Sequence, residues 1–83
     1  MKLKKLGANV TEVEMSSILT VLFSYQTPVA YKQYDGDGDF NVKVTDQYWS
    51  RTTTKHINKW VMGEKTQAVP QTQIDDLVEG VSL

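Results

Sequence analysis

Ile18-Leu19-Thr20-Val21-Leu22-Phe23-Ser24-Tyr25 is the longest strongly apolar stretch of the chain, and its reading decides the fold. Leu19, Val21, Phe23 and Tyr25 recur at every second position in a run rich in β-branched and aromatic residues. That is the pattern of a strand with one apolar face. The run is far shorter than the roughly 20 apolar residues a membrane-crossing helix requires, so no membrane span is expected. Before it, Val10 to Met15 alternates, with Thr11, Val13 and Met15 on one side and Val10, Glu12 and Glu14 on the other. Leu3 to Leu6 is a shorter candidate strand ended by Gly7. After it, Pro28 lacks an amide proton for a ladder and marks a bulge, corner or edge before the chain resumes extended from Val29 to Tyr34.

Asp35-Gly36-Asp37-Gly38-Asp39 is the clearest turn, with Phe40 to Thr45 returning from it as the second arm of a hairpin. Tyr48 to Thr52 reads as a further extended piece. Beyond it the period changes. Ile57, Trp60 and Val61 form a helical stripe, with Thr53 and Thr54 as N-cap candidates and Gly63 as terminator. A second stripe follows Pro70 in Ile74, Leu77 and Val78, flanked by Asp75, Asp76 and Glu79 and stopped by Gly80. The expectation is an α+β fold: a small antiparallel sheet of about four to five strands within residues 1–52, then helices over 53–62 and 70–79 packed on one face. All 83 residues belong to a single domain.

Composition limits the chemistry. There is no cysteine, hence no disulfide framework or thiolate metal site, and one histidine, His56, is too few for the usual zinc sets. No Gly-rich phosphate loop or serine elbow is present, Glu12 and Glu14 read as a solvated strand face, and His56 reads as a ring at the rim of the core. The expectation is a protein that is not an enzyme and uses no cofactor. Nine basic side chains against ten acidic ones argue against a generally basic nucleic-acid binder, but the charge is blocky. Lys2, Lys4 and Lys5 open the chain, Arg51, Lys55, Lys59 and Lys65 cluster later, and Asp75, Asp76 and Glu79 close it. Such blocks matter only if folding brings them together.

Two places carry recognisable site chemistry. Asp35, Asp37 and Asp39 match positions 1, 3 and 5 of a calcium loop, but Phe40 stands where that loop needs glycine, so a solvated hairpin tip is the better reading. The second is Tyr48 to Trp60. Tyr48 and Trp49 offer aromatic surface, while Arg51, Thr54, Lys55, His56 and Lys59 crowd a helix start whose free amides favour an anion or a partner surface.

Three segments together, Lys5 to Glu12, Val21-Leu22-Phe23-Ser24-Tyr25-Gln26-Thr27-Pro28-Val29-Ala30, and Ser50-Arg51-Thr52-Thr53-Thr54-Lys55-His56-Ile57-Asn58-Lys59-Trp60, resemble a family of short bacteriophage and prophage proteins of unknown function. The resemblance covers nearly the whole chain and departs at Met15-Ser16-Ser17-Ile18, where similar proteins carry a polar, glycine-containing turn. It implies a cytoplasmic existence in a bacterial host and supplies no activity. The functional expectation is a binding module acting on a host or phage protein, with self-association into a homodimer open to it. The alternative is nucleic-acid binding through the basic segment Arg51 to Lys59.

Overall fold

Val21 and Leu22 are neighbours on one strand, so their side chains leave opposite faces of the sheet, yet both are 0% exposed. A strand buried on both sides needs a layer on each, and the rest of the topology supplies them. The computed structural model describes residues 2–81. Five strands run as an antiparallel meander: β1 (Lys2–Gly7), β2 (Val10–Ser16), β3 (Leu19–Ser24), β4 (Thr27–Tyr34) and β5 (Phe40–Thr45). Helix α1 (Arg51–Val61) then leads to β6 (Thr66–Val69), which pairs parallel to β5, and α2 (Gln71–Val81) completes the chain. The sheet order is β1-β2-β3-β4-β5-β6.

The α+β class stands, with corrections. The sheet has six strands rather than four to five, because Thr66-Gln67-Ala68-Val69, too short and polar to announce a strand, pairs Val42 to Thr45 in register. Tyr48 to Thr52 is not a strand: Tyr48, Trp49 and Ser50 are irregular and the helix starts at Arg51. The helices do not share a face. Ile57, Trp60 and Val61 of α1 pack on Leu22, Val29, Ala30 and Val42, whereas Ile74, Leu77 and Val78 of α2 pack on Leu19, Val21, Tyr31 and Val69. A parallel return from β5 to β6 requires a crossover above the sheet, and α1 is that crossover. Once it occupies one face, α2 has only the other.

Local chemistry explains the joints. At Pro28 the register slips so that Val29 is an extra residue in β4, a bulge that spares the ladder a missing donor and sends Val29 into the α1-side core. Met15 to Ile18 forms the β2–β3 hairpin without glycine, the Ile18 amide donating to Ser16 Oγ at 3.3 Å. The α1 C-cap is left-handed at Met62, with φ of 47°, one residue before the expected terminator, Gly63. Gly80 lies inside α2 rather than ending it. Among the described residues no helix is long and apolar enough to cross a membrane.

If each face is a separate core layer, truncation on either should be costly. Leu22→Ala and Ile74→Ala should each lower unfolding free energy by about 2–5 kcal/mol in urea titrations. Ile18→Ala, at a half-exposed turn position, should stay within about 0.5 kcal/mol of the parent. A small loss for Ile74→Ala would contradict the packing of α2 on that face.

Candidate functional site

The start of α1 is held by hydroxyls. Ser50, not Thr53 or Thr54, is the N-cap: its backbone is extended and its Oγ accepts from the Thr53 amide at 3.1 Å. Thr53 turns inward, buried, and its Oγ1 lies 2.9 Å from Ser24 Oγ, which lies 2.8 Å from His56 Nδ1. The Ser50 hydroxyl donates to Thr53 Oγ1 at 3.2 Å, so a hydrogen-bonded chain runs from Ser50 through Thr53 and Ser24 to His56 Nδ1. Thr54 Oγ1 donates to the Ser50 carbonyl at 3.1 Å. The Thr53 and Thr54 hydroxyls, two of those at the helix start, are thus engaged within the protein.

The remaining side chains of that segment disperse. Tyr48 is 73% exposed. Trp49, 43% exposed, donates through Nε1 to Gln71 Oε1 at 3.2 Å, tying the approach to α1 to the first turn of α2. Arg51, Lys55 and Lys59 are exposed at four-residue spacing along one side of α1, a stripe about 12 Å long with no carboxylate on the helix. Trp49 and Lys59 therefore sit toward opposite ends of α1 rather than at one point. The half-buried His56 ring lies 6.2 Å from that of Tyr25, tilted by 47°. At the acidic tip, Asp35 Oδ1 accepts from the amides of Asp37 at 2.8 Å and Asp39 at 3.4 Å. Its carboxylate closes a turn in which Gly36 and Gly38 take positive φ. Among the described residues no three carboxylate or imidazole groups are placed to hold a metal.

A groove of about 840 Å³ opens elsewhere, between α1 and the β1–β2 hairpin. Leu6, Val10, Trp60 and Met62 make it apolar, and Lys32, Lys59 and His56 line it as well. Trp60 organises its floor: Nε1 donates to Glu12 Oε1 at 2.8 Å, and Lys32 Nζ stands 4.6 Å from the ring centroid. Glu12 is therefore a partner of the core tryptophan rather than part of a solvated strand face. On the opposite side of the same hairpin, Leu3, Val13, Met15, Phe23 and Tyr25 line an apolar hollow of about 330 Å³ with no charged residue. The helices reach β2, where Val13 is buried, but leave β1 open.

The chain belongs to a family of unknown function (DUF8033). The match covers residues 1–76, that is, all six strands, α1 and the first half of α2. No curated protein and no solved structure matches the chain.

Ser24, Glu12, Lys32 and the groove residues Leu6 and Met62 escaped the sequence reading. Ser24 carried one signal: it closes the Leu22 side of an apolar strand, where a hydroxyl needs a partner. The tie it makes should be measurable. Ser24→Ala removes the hydrogen bond of His56 Nδ1 and one of the two at Thr53 Oγ1, and should cost about 1–3 kcal/mol in denaturant unfolding. Ser50→Ala should cost about 1 kcal/mol as a lost cap. A larger effect of Thr54→Ala than of Ser50→Ala would overturn this assignment of the cap.

Proposed function

We propose that this chain is a non-enzymatic binding module that docks on a host or phage protein through the β1–β2 half of its sheet. The observation that carries the reading is the uncovered outer strand of the β1–β2 hairpin. All six residues of β1 are exposed, and apolar surface flanks it on both faces of the sheet. Leu3, on the α2 side, is 72% exposed and Met62, on the α1 side, 83%, and exposed apolar surface of this kind is what a partner covers. The rim also specifies charge. Lys32 and Lys59 border the groove while Glu12 is engaged by Trp60, so the favoured partner surface is apolar with acidic residues around it. The phage resemblance of the sequence supports a partner met in the bacterial cytoplasm.

Nucleic-acid binding is the second reading, and the basic stripe Arg51, Lys55 and Lys59 favours it. Folding places that stripe on the same side of the sheet as Lys32, so a net charge of −1 conceals one basic face. Phosphate contacts through it would weaken steeply with salt.

The two readings separate by variant. Capture from nuclease-treated bacterial lysate should retain a stoichiometric protein with the parent chain and lose it with Leu3→Glu plus Leu6→Glu. Arg51→Glu plus Lys55→Glu, which spares the groove, should leave capture unchanged. Capture abolished by nuclease and by the Arg51/Lys55 pair, but not by the leucine pair, would replace protein docking with nucleic-acid binding.

A further inference from the structure

We infer that the free edge of β1 accepts an extended partner segment as a seventh strand, and that this segment alternates acidic with apolar residues. The inference rests on the docking reading above and names its mode and partner chemistry. A sheet of order β1 to β6 has two edges. β6 is four residues long and runs directly into Pro70, whereas β1 is six residues long and contains no proline. A strand edge offers unpaired amides and carbonyls whether or not its side chains are apolar. β1 is therefore the longer template.

The side chains of β1 state what it pairs with, because one strand already does so. Lys2 stands opposite Glu14, Leu3 opposite Val13, Lys4 opposite Glu12 and Lys5 opposite Thr11. Lys2 and Lys4 share the α1 side of the sheet with Glu12, and Leu3 joins Val13, Phe23 and Met15 on the α2 side. A strand on the outer edge of β1 meets the same alternation over Lys2 to Lys4, with Lys5 as a further cation on the Leu3 side. Acidic residues beside Lys2 and Lys4 form opposite-charge pairs, and an apolar residue beside Leu3 extends the patch that now ends at its exposed side chain.

The same lysines reject a second copy. Two β1 edges laid side by side would place Lys2, Lys4 and Lys5 against one another, and like charges across a ladder destabilise it. The charge that blocks self-pairing is the charge that selects an acidic strand.

The test uses the full chain and a short capped peptide of alternating glutamate and valine, read by amide hydrogen exchange. Amides of Lys2 to Lys5 not bonded to β2 should exchange at least about tenfold more slowly with saturating peptide. N-methylation of alternate peptide residues should abolish that protection, which side-chain docking alone would not require. Replacing the glutamates by lysine, or Lys2→Gln plus Lys4→Gln in the protein, should weaken binding by about threefold to tenfold at low salt. The glutamine variants guard against misfolding of the hairpin that charge reversal opposite Glu12 and Glu14 would invite. Protection of β6 instead of β1, indifference to N-methylation, or β1 protected in a peptide-free dimer would each overturn the inference. If Leu3→Glu plus Leu6→Glu abolishes protein capture while the peptide leaves β1 unprotected, docking stands and the added strand falls.

Discussion

Burial of β3 from both sides is the constraint on which the other elements depend. Leu19 and Val21 face one layer, Leu22 and Ser24 the other, and these residues are all nearly or fully excluded from solvent. A sheet carrying such a strand at its centre exposes a large apolar area unless something covers each face, at roughly 25 cal/mol per Å² left in water. Only two amphipathic segments are available after β5. One must therefore cross over the sheet and the other return beneath it. The parallel pairing of β6 with β5 and the placement of α2 opposite α1 follow from that division.

The same layering divides the polar chemistry of α1. Its inner side is tied to the sheet by the chain from Ser50 through Thr53 and Ser24 to His56, and at its other end by the Trp60–Glu12 hydrogen bond. Every buried side-chain nitrogen or oxygen among the described residues has a partner. With the inner groups engaged, the outer side retains Arg51, Lys55 and Lys59 as a basic stripe without a structural duty. The serine–histidine contact belongs to this scaffolding: Ser24 is 2% exposed and bonded on both sides, which ties α1 to β3.

Two eleven-residue helices cannot cover six strands on both faces. They centre on β3, β4 and β5, and the β1–β2 hairpin extends past them. Its exposed outer strand carries Leu3 between two lysines and Leu6 beside a third, charges of the kind that mark unpaired edge strands. Incomplete coverage, more than any cluster of reactive groups, distinguishes this surface.

Much of the secondary structure was legible from residue order. Alternation at Leu19, Val21 and Phe23, the Asp-Gly turn, and the helical stripes at Ile57–Val61 and Ile74–Val78 locate five strands and two helices, because each signal is local and periodic. The unbroken run Val21-Leu22-Phe23 also held a hint of two-sided burial, which a one-faced strand does not need. What sequence order left open was everything that depends on contacts between distant residues. Thr66 to Val69 becomes a strand only because β5 presents an edge to it. Ser24, Glu12 and Lys32 acquire their partners across 32, 48 and 28 positions of chain. The open outer strand β1 exists only because two helices fall on opposite faces and reach no farther than β2. Composition and periodicity determined five strands and two helices of this protein, since those are properties of neighbouring residues. Tertiary structure alone decided which faces are covered and which edge is free, since that depends on where a limited amount of apolar helix surface comes to rest.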